Sequence, residues 1–124
     1  MLILVGGQKG GTGKSTVATN LVAMRTLKNR DSFLFDIDPQ STSTLWASRR
    51  DENKVHPRIS SNQKILDRRV INAGTVIRNE IKALIPKYED IIIDAGGADN
   101  EVLRAAMTLA NVLILPLMPS AFDT

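Results

Sequence analysis

Cysteine is absent from the 124 residues, which removes disulfide scaffolds, thiolate zinc sites, iron–sulfur clusters and cysteine nucleophiles together. Histidine is nearly absent: His56 has no second histidine with which to share a metal, so a surface role is expected of it. No apolar run approaches the roughly 20 residues that cross a bilayer. The segment Met1-Leu2-Ile3-Leu4-Val5-Gly6 carries neither a basic leader nor a long apolar core, so no signal peptide is expected and the cytoplasm is the expected location. Charge imbalance is small, 16 Lys+Arg against 13 Asp+Glu. With 43% apolar and 23% charged residues, neither wholesale disorder nor a fibrous repeat fits. A single domain, residues 1–124, large enough for a real core, is expected.

The positive charge gathers in the middle. Trp46 to Asp90 holds ten Lys/Arg and six Asp/Glu, while the rest of the chain holds six and seven. Arg49-Arg50 and Arg68-Arg69 are its best candidates for phosphate or partner contact. The same residues fit the solvated faces of ordinary helices, and both readings stay open.

Four short, continuous apolar runs stand out: Leu2–Val5, Phe33–Phe35, Ile91–Ile93 and Val112–Leu115. Unbroken runs of this kind suit strands covered on both faces of a parallel sheet. Val17, Ala18, Leu21, Val22 and Met24 recur at helical spacing between the first two. Ile77, Ile81, Leu84 and Ile85 form a second helical stripe that Pro86 ends, and Glu101 to Ala110 supplies a third helix. A weaker strand is expected around Arg58–Ser60, and a helix starting near Ser41 or Thr42 whose Leu45 and Trp46 pack inward. Strands alternating with helices predict an α/β domain with a mostly parallel twisted sheet and helices on both faces. In such a sheet the C-terminal strand ends share one edge, where ligands bind. Gly6–Ser15, Asp36–Gln40 and Asp94–Gly97 would therefore converge there.

The first of these segments reads Gly6-Gly7-Gln8-Lys9-Gly10-Gly11-Thr12-Gly13-Lys14-Ser15 and leads into a helix. Glycines let successive backbone N–H groups face inward as an anion nest, and the helix N-terminus adds its dipole. Lys14 would place a cation on β/γ-phosphates, and the Ser15 hydroxyl would take a position on Mg²⁺. The usual phosphate-loop pattern has glycine where this chain has Gln8, and Lys9-Gly10-Gly11-Thr12-Gly13-Lys14-Ser15 instead looks like the deviant Walker A motif with its early second lysine. On these residues the chain resembles the ParA/MinD family of deviant Walker ATPases, and its partition members in particular. The resemblance implies a P-loop NTPase fold, ATP with Mg²⁺, and nucleotide contacts from Gly10, Gly11, Thr12, Gly13, Lys14, Ser15 and Thr16. It also implies an ATP-dependent homodimer in which Lys9 reaches the nucleotide of the other subunit.

Phe35-Asp36-Ile37-Asp38-Pro39-Gln40 places two acids two residues apart at a strand end, and Pro39 stops further pairing. Beside a bound nucleotide such acids hold metal-bound water or orient the attacking water. Their other reading is a capping Asp before the next helix with Asp36 solvated. The string is similar to the switch region of the partition proteins, which implies that Asp38 positions the hydrolytic water and Asp36 supports the metal site. Ile91-Ile92-Ile93-Asp94-Ala95-Gly96-Gly97 has the form of a Walker B strand whose Asp94 would bind Mg²⁺ through water. The candidate catalytic set is thus Lys9, Lys14 and Asp38, and the candidate metal set Ser15, Asp36 and Asp94.

The family's members usually run on for many tens of residues past the segment ending at Ser120. The resemblance therefore implies a domain truncated after about five strands, lacking the strands and helices that supply much of the adenine pocket and DNA-binding surface. It leaves Val112–Leu115 at an open edge. The expected function is a slow ATPase switch for plasmid or chromosome partitioning, with non-specific DNA and a centromere-binding protein as partners of the complete form and no membrane. Two alternatives are a MinD-like membrane-positioning ATPase and a non-hydrolysing nucleotide-binding adaptor. A nitrogenase-reductase-like electron carrier is excluded by the missing cysteines.

Overall fold

A computed structural model describes residues 1–6, 13–67, 69–96 and 101–116. Nine elements follow one another along the described chain. They are β1 (Leu2–Val5), α1 (Lys14–Leu27), β2 (Ser32–Asp36), α2 (Thr42–Glu52), β3 (Ser60–Gln63), α3 (Ala73–Leu84), β4 (Asp90–Asp94), α4 (Glu101–Leu109) and β5 (Val112–Ile114). The strands form one sheet in the order β3-β2-β4-β1-β5. Every pairing in it is parallel, with Asp36 opposite Asp94 and Val5 opposite Asp94 in register.

The central strands are apolar along their whole length because both faces are covered. Successive side chains in a strand point to opposite faces. Leu2, Leu4, Phe33, Phe35, Ile91 and Ile93 accordingly enter one core with Ile77 and Ile81 of α3 and Ala106 of α4. Ile3, Val5, Leu34 and Ile92 enter the other, with Ala18 and Val22 of α1. Full burial of a side chain such as Ile77 or Ile81 contributes about 1.5–3 kcal/mol, so the two helix faces carry much of the fold's stability. Gly74 permits a close approach of α3 to α4: a Cβ there would lie 2.8 Å from Glu101 Cγ and 3.3 Å from the Glu101 carbonyl oxygen.

Several sequence expectations shift. The weak strand lies at Ser60–Gln63 rather than Arg58–Ser60, and all four of its residues are exposed. It is an edge strand joined to β2 by its backbone, and the adjacent Ile59 supplies the buried anchor. Ile85 caps α3 and is exposed instead of extending its apolar stripe. Leu45 is exposed too, whereas Trp46 packs against the α1 side of the sheet with the Arg50 guanidinium 4.9 Å from its ring centroid. The fourth apolar run forms β5 over Val112–Ile114, at the sheet edge as expected, with Val112 and Leu113 exposed. His56 is exposed.

Within the basic middle, Arg58–Asp51, Lys64–Glu80 and Arg69–Asp67 form exposed ion pairs at 3.8, 3.5 and 3.1 Å, the solvated-face arrangement. Asp90 differs. It is fully buried at the start of β4, bonded by Arg30 through Nε and, at 3.1 Å, through Nη2, with Arg25 at 3.6 Å. Those cations hold its carboxyl below the ordinary aspartate range although burial opposes them. Among the described residues no helix is long and apolar enough to cross a membrane.

Candidate functional site

Four strand ends meet at one edge of the sheet. Val5 of β1 accepts from the Ala95 amide at 3.0 Å, and the Asp94 carbonyl of β4 accepts from Ile37 at 2.9 Å. Gly6, where the glycine-rich segment leaves β1, donates to Ile114 of β5 at 3.0 Å. Gly13 then opens α1 with φ at +82°, a left-handed conformation that glycine adopts without strain. Lys14 and Ser15 are thereby placed at the first positions of α1, aimed across the edge at the carboxylates.

Lys14 is 6% exposed and Asp94 fully buried. The Lys14 ammonium donates to Asp38 Oδ2 at 2.6 Å and also to Asp94 Oδ1. Burial works against its charge, but the hydrogen bonds and charges of Asp38 and Asp94 more than offset that, and its pKa lies above the ordinary lysine value. Ser15 donates its hydroxyl to Asp94 Oδ2 at 2.9 Å, and the fully buried Ser43 of α2 donates to that oxygen as well.

Asp38 is fixed by a turn. Pro39 follows it, the Ser41 amide donates to its carbonyl at 2.9 Å, and the Gln40 amide donates to its Oδ1 at 3.0 Å. Gly96 lets the segment after β4 approach this turn, since a Cβ there would meet Pro39 Cδ at 3.3 Å.

Asp36 plays a part that the sequence does not reveal. Its Oδ1 accepts from the Asp38 amide at 3.0 Å, and its Oδ2 from the Thr44 amide and hydroxyl at 2.9 and 2.6 Å. Thr44 is the third residue of α2, whose own N-cap residue Ser41 makes no side-chain cap bond. A carboxylate from β2 thus caps α2 from outside, satisfying an orphan N–H and complementing the helix dipole. The capping role weighed from the sequence falls to Asp36, and with the residue buried rather than solvated. Burial pushes its carboxyl above the usual aspartate range, against the opposing pull of the Thr44 and Asp38 bonds.

Of the residues expected at the site, Lys14, Ser15, Asp38 and Asp94 form one bonded cluster, with Asp36 beside it at the same level of the sheet. Gly13 and Thr16 join Lys14, Ser15, Asp38, Gln40 and Thr42 in lining an open cavity of about 300 Å³. Lys9, Gly10, Gly11 and Thr12 lie outside the described residues. Ser43 and Thr44 went unnoticed in sequence reading, because a Ser-Thr pair in a first helical turn looks like ordinary helix-start composition. A larger cavity of about 450 Å³ lies under the other helix layer, lined by Ile37, Leu66, Ile77, Val102 and Leu103 among others. It borders the acid-bearing segments through Ile37, Pro39, Ala95 and Gly96, but none of Lys14, Ser15, Asp38 and Asp94 lines it.

The donor set suits a magnesium ion. Ser15 and Asp94 offer adjacent hard oxygens, and among the described residues no group of three or more His, Asp or Glu could hold a metal unaided. Mg²⁺ is commonly bound in this way, by one or two protein oxygens with phosphates and water completing its shell.

A family model described as the CobQ/CobB/MinD/ParA nucleotide binding domain matches residues 3–120. A protein ParA from Rhizobium radiobacter is 24% identical over 122 residues, covering 98% of this chain and 50% of the relative. A putative plasmid partition protein from Borrelia burgdorferi bound to AMPPNP superposes with a TM-score of 0.70 at 19% identity, covering 94% of this chain and 62% of that one. Cobyrinic acid a,c-diamide synthase from Mycobacterium smegmatis with bound ADP and magnesium gives a TM-score of 0.76 at 19% identity, covering 94% and 58%. The chain thus spans about half the length of the curated relative it matches.

Proposed function

The chain belongs to the CobQ/CobB/MinD/ParA nucleotide-binding family, and on that premise we propose that it is the ATP-binding part of a slow partition-type ATPase switch. The observation that carries this reading is the buried contact of Lys14 with Asp38 and Asp94, beside Ser15, at the strand-end edge. A cation, a hydroxyl and two acids from three separate chain segments are gathered where the glycine-rich segment enters α1.

In this reading Lys14 turns from the two carboxylates to the β/γ-phosphates when a triphosphate enters. Ser15 and Asp94 would hold Mg²⁺, and Asp36 holds the switch turn and α2 in place beside them. The ion, when bound, neutralises charge developing on the transferred phosphoryl group. Asp38, released from Lys14 and fixed through the Gln40 amide, orients the attacking water. Backbone N–H groups of Gly10 to Thr16 cradle the phosphates. Lys9 of a second copy contributes a further cation, which makes the nucleotide the link between two chains. Without a strong general base the turnover is slow, as a timer requires. In a longer protein the partners would be non-specific DNA and a centromere-binding partition protein.

Single-turnover phosphate release tests the proposal. Hydrolysis that is measurable in the unaltered chain, stimulated by DNA with a partner, and lost in both Asp38→Ala and Lys9→Ala supports the switch. Tight ATP binding with no turnover under any condition would instead identify a non-hydrolysing adaptor.

A further inference from the structure

Ser43 donates its hydroxyl to Asp94, and nothing in the chemistry outlined above uses it. The side chain is completely buried, and so is its acceptor. A buried hydroxyl loses its bonds to water, so this hydrogen bond is what makes the residue tolerable there. Alanine would fit the same space at lower desolvation cost.

Among the described residues three side chains donate to Asp94: Lys14 on Oδ1, and Ser15 and Ser43 on Oδ2. Lys14 and Ser15 belong to α1 and line the 300 Å³ cavity, so they face an incoming phosphate and its ion. Ser43 belongs to α2 and does not line that cavity. When Lys14 and Ser15 turn to the ligand, Ser43 is, among the described residues, the side-chain donor left on the carboxylate. It holds Oδ2 while Oδ1, vacated by Lys14, becomes available.

We propose that Ser43 is a positioning residue for divalent-metal binding, orienting Asp94 from behind through its hydroxyl. The inference rests on the reading of Ser15 and Asp94 as the metal-holding pair. Outer-layer hydrogen bonds of this kind orient ligating carboxylates, and their loss typically weakens metal affinity 10–100-fold. Ser43 also ties the metal state to α2, whose next residue Thr44 is bonded to Asp36.

Two titrations on the full chain test this, in the unaltered protein, Ser43→Ala and Ser43→Thr. The first measures binding of a fluorescent ATP analogue in EDTA. The second follows free Mn²⁺ by electron paramagnetic resonance at saturating nucleotide. Ser43→Ala is expected to bind nucleotide within about twofold of the unaltered chain but Mn²⁺ about tenfold more weakly. Ser43→Thr, which keeps the hydroxyl, is expected to recover the Mn²⁺ affinity. Mn²⁺ affinity unchanged in Ser43→Ala, or nucleotide and Mn²⁺ affinity falling together, overturns the proposal. Absence of nucleotide binding in the unaltered chain refutes the nucleotide reading itself, and the first titration alone reveals it.

Discussion

Lys14 Nζ lies 2.6 Å from Asp38 Oδ2, so the cation assigned to phosphate is held by the carboxylate assigned to water. In the proposed function each would keep the other from its task until a ligand separated them. Both side chains are under 10% exposed, at 6% and 9%, so the contact is only weakly screened.

That contact predicts an order of binding. Lys14 also occupies Asp94, so a divalent ion offered alone should bind poorly, and nucleotide should bind measurably without it. Calorimetric titration with Mg²⁺, with ATP in EDTA, and with both checks this. Tight metal binding to the nucleotide-free chain would contradict it. Lys14→Met should weaken ATP binding by about 100-fold, the loss of charge-assisted phosphate bonds worth about 3 kcal/mol. It should also destabilise the nucleotide-free chain by roughly 3 kcal/mol, since two buried acids lose their cation.

Asp38→Asn should separate binding from turnover. Hydrolysis should fall by about 100-fold or more, as for loss of a water-orienting carboxylate. ATP affinity should hold or tighten, up to about tenfold, because a charged competitor for Lys14 is removed. Phosphate release and equilibrium binding on the same preparations give the two numbers. Affinity and turnover dropping together would argue that Asp38 builds the pocket instead.

Acid titration of stability should show two opposing slopes. The Asp90 carboxyl is held below its ordinary value of 3.8 in the fold, so its contribution is complete above that pH and is lost as pH falls through the lower folded value. The Asp36 carboxyl is raised above 3.8, so its ionisation costs the fold stability as pH rises from 3.8 towards the folded value. Urea unfolding followed on both sides of pH 3.8 should lose the slope below it in Asp90→Asn and the slope above it in Asp36→Asn. Asp90→Asn should also cost about 2 kcal/mol near neutral pH, because the amide keeps only one acceptor and no charge for the Arg30 guanidinium.

Gly74 offers a packing test away from the chemistry. An alanine Cβ would lie 2.8 Å from Glu101 Cγ and 3.3 Å from the Glu101 carbonyl oxygen, so α3 and α4 must shift and Gly74→Ala should cost about 1 kcal/mol. Gly74→Val presses on the Glu101 carbonyl and Ala105 and should cost about 2 kcal/mol. Thermal melting of both variants decides it.

The apolar runs of β1, β2 and β4 were legible because strands buried on both faces must be apolar throughout. The approach of Lys14 to Asp38 and Asp94 followed from that, since parallel strands align their ends. β3 was misplaced because Ser60–Gln63 pairs through its backbone alone and carries no apolar signature. Asp90 passed for surface charge, as its cations Arg25 and Arg30 lie some sixty residues earlier. The external cap from Asp36 to Thr44 and the Ser43 bond to Asp94 were invisible for a similar reason. Each depends on where α2 sits against strand ends, which local composition does not encode.

Strand order also bears on biosynthesis. β4 lies between β1 and β2, so these two strands, which precede it in the chain, have no direct pairing with each other in the finished sheet. A nascent chain would carry Lys14 and Asp38 long before Asp94 leaves the ribosome, and could assemble the cluster only once β4 had filled the gap between its neighbours. Closure of the cluster therefore waits for β4, and a chain stalled before that strand would leave β1 without either of its neighbours and β2 without one.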